Sequence, residues 1–469
     1  MKSFLWMVAI AVLSASLARC ASVPDTDGAR PPSASQVRVS TDKGWLSYRT
    51  SRQLIQRLGD SARGADFLAA HLKVEEAVSG APLTGGNQVE IYDDGPQTYE
   101  AMFEAIRAAR SYIHLESYIF EDDEVGRKLA RMLADKRAED VAVAVMVDGV
   151  GTLGTSPELF DTMRDAGIQV MIFNPVNPLI ARSPSWSINQ RNHRKILVVD
   201  GKVGFTGGIN MSNVYSSSPS SGSRASAGSA SSHEQDSRDI PWRDTHIRIA
   251  GPAAGELEKV FQRGWREQNG PPLLPRDFFP DVQGEGRQFV RIVANDPNDE
   301  RGYTVYLTLM SAISSAQQSI GITMAYFVPD PAFIEALKEA AARGVDVELV
   351  LPAVSDSSLV LHAGRSHYTD LLQAGVKIYE RTGALLHAKT AVVDGVWSTV
   401  GSSNLDWRSF TLNYEVNAVI LGAEFGSQMR RLFDDDVRQS KAVTLAEWRE
   451  RGVWARFMEL IGRLGERWL

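Results

Sequence analysis

The sequence contains one cysteine, Cys20, and eight histidines among 469 residues. A single cysteine excludes a disulfide within the chain, and it leaves no set of thiols from which to build a zinc cluster. A function that depends on cysteine chemistry is therefore excluded for the body of the protein.

An excess of positive charge is also missing. Lysine and arginine total 50 against 57 aspartate and glutamate residues, and the sequence pI is about 5.7. Such a chain has no global attraction to nucleic acid or to anionic lipid. An anionic substrate must therefore be met by a local cationic site.

Long apolar runs are absent too, and the N-terminal one, from Phe4 to Leu13, is short for a membrane span. It follows Lys2 and precedes small residues, which predicts an export segment over 1–20. Leu17 to Cys20 resembles a bacterial lipobox, which predicts lipidation of Cys20 and a membrane-associated protein of the cell envelope that faces the periplasm. Arg19 stands where a small residue is usual, so a soluble exported form and an uncleaved anchor stay as alternatives.

The rest of the chain looks duplicated, since similar segments recur in the same order roughly 200 residues apart. Helical patterns alternate with continuous apolar strands, which predicts an α/β fold with both sheet faces covered and the two sheets face to face. The predicted organisation is an export segment (1–20), a tether and N-terminal helical region (21–87), a first α/β domain (88–270) with a low-complexity loop (216–232), a linker (271–295), a second α/β domain (296–440) and an amphipathic C-terminal helix (441–469).

One pattern occurs in each half with identical spacing: HRKILVVDGKVGFTGGIN and HAKTAVVDGVWSTVGSSN. Histidine and lysine two apart on a strand project to the same face, so both can address one phosphate. The aspartate points away and can cap the following hairpin turn, while the glycine-rich end lets backbone N–H groups and the asparagine approach phosphoryl oxygens. The first copy supplies His193, Lys195, Asp200, Gly208 and Asn210, and the second supplies His387, Lys389, Asp394, Ser402 and Asn404.

This duplicated pattern resembles the signature of the phospholipase D superfamily, and its motifs cover about residues 88 to 430. The resemblance implies two tandem α/β/α sandwich domains related by a pseudo-twofold axis, with one active site at their interface. It also implies a reaction that needs no metal and no cofactor.

The resemblance further implies a role for each motif residue. His193 is expected to attack phosphorus and His387 to act as the general acid and base, although the reverse order stays open. Lys195, Lys389 and the two asparagines are expected to bind the phosphate, with Gly208 and Ser402 beside them, and Asp200 and Asp394 complete the catalytic motif. A nucleophilic histidine needs its other ring nitrogen held, and Asp244 and Glu415 are the candidate partners.

The segment from Trp242 to Trp265 resembles bacterial cardiolipin synthases, which transfer a phosphatidyl group from phosphatidylglycerol to a lipid alcohol. A phospholipase D that releases phosphatidic acid, a nucleic-acid phosphodiesterase and an inactive lipid-binding lipoprotein are the alternatives. The acidic composition argues against nucleic acid. We therefore expect a phospholipid substrate and a membrane surface as partners, and the oligomeric state stays open.

The C-terminal segment places apolar residues at helical spacing with arginines between them, as in Val453, Trp454, Phe457 and Arg456. Such a helix can lie in the headgroup layer of a membrane or pack on the domain. The sequence leaves both interpretations open.

Overall fold

A computed structural model describes residues 37–41, 44–59, 62–217, 240–282, 284, 286–299 and 303–466. The predicted export segment with Cys20, the first part of the predicted tether and most of the predicted loop 216–232 lie outside these residues.

The first half alternates strands and helices as the sequence pattern predicts. The elements are β3 (Leu83–Tyr92), α3 (Gly95–Ala108), β4 (Tyr112–Ser117), α4 (Glu124–Ala138), β5 (Ala142–Asp148), α5 (Pro157–Asp165), β6 (Gln169–Phe173), β7 (Ile196–Val199), β8 (Val203–Gly207), β9 (Trp242–Arg243), β10 (His246–Ala250) and α6 (Ala253–Glu267). Helices α3, α4 and α5 start at side-chain caps, since Asp94, Asp123 and Ser156 each accept a hydrogen bond from a first-turn amide N–H. The strand order is that of a mixed sheet, β6-β5-β4-β7-β8-β10-β3, and β4, β5 and β6 are parallel.

The second half repeats this arrangement. Its elements are β11 (Gln288–Asn295), α7 (Thr304–Ser315), β12 (Ser319–Met324), β13 (Phe327–Val328), α8 (Pro331–Ala342), β14 (Asp346–Pro352), α9 (Ser358–Arg365), α10 (Tyr368–Gln373), β15 (Lys377–Arg381), β16 (Leu385–Leu386), β17 (Lys389–Val393), β18 (Trp397–Gly401), β19 (Leu405–Asp406), α11 (Trp407–Thr411), β20 (Glu415–Leu421) and α12 (Ala423–Arg438). The strand order is β15-β14-β12-β17-β18-β20-β11, and β12, β14 and β15 are parallel. The two equivalent α/β halves confirm the predicted fold class.

The two sheets also join edge to edge, which the sequence does not predict. Strands β3 and β11 pair antiparallel, with a register shift between Gln288 and Val290. Pairing the two edge strands with each other leaves neither edge exposed. One apolar core cluster then contains residues of both halves, among them Ile196, Ile247, Val400 and Ile420.

The predicted domain boundaries differ from the observed strands. Residues 288–295, placed in the predicted linker, form β11 near the centre of the joined sheet, and the first half begins at Leu83, within the predicted N-terminal region. The prolines of 271–280 indicate a linker, but the apolar alternation that follows them forms a strand, so the linker ends before residue 288.

The N-terminal region contacts both halves. Strands β1 (Val39–Thr41) and β2 (Gly44–Trp45) pair with each other, and β1 also pairs with β3 of the first half. Helices α1 (Tyr48–Leu58) and α2 (Ala62–Ser79) follow. In α2, His71 Nδ1 lies 2.9 Å from the Ser311 hydroxyl on α7, so this helix packs on the second half.

The C-terminal segment contains a strand and two helices where one helix is predicted. Strand β21 (Ser440–Val443) extends the sheet beside β15, and α13 (Leu445–Arg449) and α14 (Val453–Gly465) follow it. Thr444 caps α13, so a new helix begins as the strand ends. Within the described residues, we find no helix with the length and apolar character needed to span a bilayer.

The motif aspartates lie at the far end of their strands from the motif histidines. Asp200 follows β7, and its carboxylate accepts hydrogen bonds at 2.8–2.9 Å from the backbone N–H groups of residues 110–112, just before β4. Asp394 accepts from residues 317–319 in the same way. Both carboxylates therefore hold the start of the neighbouring strand, and a catalytic part for Asp200 and Asp394 stays a prediction.

We predict that Asp200→Asn lowers the free energy of unfolding by about 1–3 kcal/mol, because an amide cannot accept all three hydrogen bonds. Asparagine tolerates the left-handed backbone found there (φ 53°), so the change tests the carboxylate alone. Thermal unfolding measures the effect, with the exposed Asp161→Asn as control. Equal melting temperatures for the two variants would contradict the assignment.

Candidate active site

The two motif copies meet at the carboxyl ends of the parallel strands, and the backbone of each is bonded to the other half. The N–H of His193 donates to the carbonyl of Tyr414 at 3.0 Å, and the N–H of His387 donates to the carbonyl of Arg243 at 2.8 Å. Strand β16, which leads into His387, pairs in parallel with β9. This reciprocal pairing fixes the two histidines relative to both halves.

Each histidine is held by a carboxylate from the opposite half. Nδ1 of His193 lies 3.0 Å from Oε1 of Glu415, and Nδ1 of His387 lies 2.7 Å from Oδ2 of Asp244. Both carboxylates are fully buried. A carboxylate at Nδ1 fixes the tautomer with the proton on that nitrogen, which leaves Nε2 to act as nucleophile or base. The structure thus places both predicted carboxylates at the histidines, and each carboxylate comes from the half opposite to its histidine.

One residue at each glycine-rich end lies against one of these carboxylates, and its size fits the space that the carboxylate leaves. A Cβ on Gly208 would lie 2.1 Å from Oδ1 of Asp244, so only glycine leaves room for that carboxylate. At the equivalent position Ser402 donates its hydroxyl to Oε2 of Glu415. The structure therefore places Gly208 and Ser402 against the carboxylates, whereas the sequence predicts that they bind phosphate.

Tyr215 is a site residue that sequence reasoning missed. Its hydroxyl lies 3.3 Å from Nδ1 of His387 and accepts a hydrogen bond from Asn210 at 3.1 Å, and Trp242 covers the same imidazole. Asn210 also accepts from the N–H of Ile119, so its side chain supports His387 through Tyr215. The only sequence signal for Tyr215 is its place shortly after the first motif.

The two lysines point back toward their own motif. Lys195 Nζ donates to the carbonyl of His193 at 2.6 Å, and Lys389 Nζ donates to the carbonyl of His387. The buried Oδ1 of Asn404 has no hydrogen-bond partner among the described residues. The two ammonium groups are cationic donors suited to a phosphate, whereas the Oδ1 of Asn404 is an acceptor.

Arg194, between the first histidine and lysine, was also not predicted. It is buried, and its guanidinium donates to the carbonyl oxygens of Asn295 at 2.9 Å and Glu415 at 3.2 Å, both in the second half. This side chain ties the first motif to the strand that carries the carboxylate of His193.

Comparison with known proteins identifies the family. Residues 102–217 and 309–437 match the family described as "Cardiolipin synthase, PLD-like domain". The chain is 35% identical over 386 residues to the cardiolipin synthase of Geobacillus thermodenitrificans, which covers 82% of this chain and 72% of the relative. The cardiolipin synthase of Staphylococcus aureus is 36% identical over 385 residues, 81% of this chain and 74% of the relative. The chain belongs to the cardiolipin synthase family.

The fold also resembles that of a solved structure. The phosphatidylserine synthase of Haemophilus influenzae aligns with a TM-score of 0.60 at 14% identity, over 83% of this chain and 95% of that structure. The predicted resemblance to the phospholipase D superfamily is confirmed.

The ionisable groups of the site are buried, and burial shifts their pKa values. Burial lowers the pKa of His193 from 6.5 to about 4, although Glu415 opposes the shift. Burial also lowers the pKa of Lys195 to about 7 and that of Lys389 to about 8. An arriving phosphate anion would raise all three pKa values, so substrate binding and protonation of the site favour each other.

The carboxylates stay ionised in this environment. Burial alone would raise the pKa of Glu415, but His193 and Lys195 outweigh it and the pKa is lowered. Asp244 behaves likewise beside His387 and Lys389. Among the described residues, no group of three or more His, Cys, Asp or Glu side chains is arranged to hold a metal ion.

We predict that exchanging the two matched residues has unequal effects. Gly208→Ser displaces the carboxylate of Asp244 and should lower kcat by about 10–100-fold, as loss of an orienting partner does. Ser402→Gly removes one hydrogen bond to Glu415 and should lower kcat by about tenfold or less. Steady-state kinetics with melting temperatures as a folding control measure this. A Gly208→Ser variant with full activity would contradict the positioning of His387 by Asp244.

Proposed function

We propose that this protein is a phosphatidyltransferase of the cardiolipin synthase type. The observation that carries the proposal is the crossed pair of His–carboxylate contacts, which supplies two imidazoles with their Nε2 atoms available for one phosphodiester. The similarity to cardiolipin synthases over most of the chain supports phospholipid as substrate. The specific donor that we propose is phosphatidylglycerol.

The reaction proceeds in two displacements. In the first, Nε2 of His193 attacks phosphorus, the bond from phosphorus to the glycerol oxygen breaks, and His387 gives its proton to that oxygen as glycerol leaves. In the second, His387 takes the proton of an incoming lipid alcohol, whose oxygen bonds to phosphorus as the bond to His193 breaks. Both imidazoles end in their starting states.

The assignment of His193 as nucleophile is supported by its environment. A nucleophilic imidazole must be neutral, and burial keeps the pKa of His193 well below neutral pH. Burial also lowers the pKa of His387, so its protonated form depends on the bound phosphate anion and on Asp244, whose carboxylate lies 2.7 Å from its Nδ1. Lys195 and Lys389 would stabilise the charge that develops on the phosphoryl oxygens.

We predict that the purified protein converts phosphatidylglycerol vesicles to cardiolipin and glycerol, measured by mass spectrometry of the products. Lys195→Ala should lower kcat/KM by about 10²–10³-fold, because one cationic donor to the transition state is lost. The exposed Lys202→Ala, in the β7–β8 turn, is the matched control. Phosphatidic acid as the sole product would favour the phospholipase D alternative and defeat the synthase proposal.

We further propose that the enzyme works at the membrane of a bacterial cell envelope, facing the periplasm. Anchoring through a lipidated Cys20 stays a prediction, because that residue lies outside the described part of the chain. The mass of the mature N-terminus checks it, since an unmodified Cys20 would contradict a lipid anchor.

A further inference from the structure

The C-terminal helix α14 packs on the protein through the side that carries Glu459 and Gly462. Glu459 is buried and accepts two hydrogen bonds of 2.8 Å from Arg451. A Cβ on Gly462 would lie 2.4 Å from the backbone nitrogen of Ala363 on α9, so the two helices are in close contact there. Just after the helix, Glu466 lies 2.8 Å from Nε2 of His367.

The apolar side of α14 faces solvent as a consequence. Trp454 is 71% exposed, Leu464 is 73% exposed and Phe457 is 48% exposed. An amphipathic helix of a globular protein normally buries this side. The exposed apolar side chains of α14 are Val453, Trp454, Phe457, Leu460, Ile461 and Leu464.

Other exposed apolar residues lie at the same end of the molecule. Helix α9 follows the carboxyl end of β14, and Val354 and Leu359 are exposed beside it. On the first half, the segments after β5 and β6 expose Leu153 and Leu179, the latter by 90%. The motif histidines stand at these carboxyl ends, so apolar side chains of both halves surround the approach to the site.

Tyr326 links α14's neighbourhood to the active site. Its ring lies 6.5 Å from that of His387, and its hydroxyl donates to Asp356 at 2.7 Å, just before α9. Val328, two residues further on, packs in one apolar cluster with Val360 and Ala363 of α9. Helix α9, on which α14 packs, is therefore connected through Val328 and Tyr326 to the residues beside His387.

The charge beside α14 suits an anionic surface. A groove along the helix is lined by four arginines together with Asp370 and Glu459. Arg451 is paired with Glu459, and three of the arginines are exposed. These are Arg449, Arg456 and Arg463.

We propose that α14, with the exposed apolar residues after β5, β6 and β14, forms a docking face that binds an anionic lipid bilayer and holds the active-site mouth against it. This inference rests on the proposed function, because a phospholipid substrate resides in that bilayer. A bilayer fits better than a second copy of the chain, since the apolar residues are spread over both halves at the carboxyl ends of the parallel strands, where the motif histidines stand. The arginines match lipid phosphates at the depth of the headgroups.

The docking face predicts a split between substrates. Trp454→Ser/Phe457→Ser should lower activity on phosphatidylglycerol vesicles by about tenfold or more, and leave activity on dissolved short-chain phosphatidylglycerol unchanged. The matched control is Trp45→Ser/Phe279→Ser, in which Phe279 is 49% exposed and its neighbour Pro280 lies against Gly201 at the opposite end of the sheet. Full vesicle activity in the α14 variant, or an equal loss in the control, overturns the inference.

A second measurement does not depend on the reaction. Vesicles of phosphatidylglycerol brominated in the acyl chains should quench the fluorescence of Trp454 in the full chain, and this component should be missing in Trp454→Phe. Equal quenching in the two proteins overturns the docking face even where the synthase activity is present. Self-association that buries Trp454 without vesicles also overturns it, in favour of a second copy as the occupant.

Discussion

The structure depends on one reciprocal contact, in which each half of the chain supplies a buried carboxylate to the histidine of the other. A carboxylate with no exposure to water is costly unless its charge is compensated by nearby donors. Glu415 meets His193 and Ser402, and Asp244 meets His387. Neither half therefore contains a complete site, and the fold that joins β3 to β11 is a condition of the chemistry.

The two halves are equivalent in backbone and unequal in detail. Asp244 is the shorter carboxylate and lies directly over Gly208, whereas the longer Glu415 leaves room for the hydroxyl of Ser402. Of the two imidazoles, it is that of His387 against which Tyr215 and Trp242 lie. A double displacement asks different work of its two histidines, and these differences give each a distinct environment.

Much of the fold could be predicted from the sequence, because the apolar strands and the repeated motif are local patterns. The crossed pairing could not, since Glu415 is 222 residues from His193 and Asp244 is 143 residues from His387. The sequence identifies both carboxylates as candidates, but only the tertiary arrangement assigns them. The contacts of Asp200 and Ser402 could not be predicted for a related reason, because a motif shows that residues belong together without showing which atoms they contact.

The position of the site in the fold also determines which surface lies around it. The histidines stand at the carboxyl ends of the parallel strands, where the loops of both halves and α9 expose apolar side chains. The helix α14 adds to this end by packing through Glu459 and Gly462 and leaving its apolar side free. A site that needs both halves thus opens onto a surface that both halves share.

The central claim is that the crossed contacts make His193 the nucleophile of a two-histidine site. The most direct measurement is to quench the reaction with phosphatidylglycerol labelled at phosphorus and to map the protein-bound label by mass spectrometry. The mechanism predicts label on His193 in the unchanged enzyme and its loss in His193→Ala. In His387→Ala, which lacks the acid of the first displacement and the base of the second, any label should lie on His193 and should both form and decay more slowly. Label on His387, or no covalent intermediate in the unchanged enzyme, would contradict it.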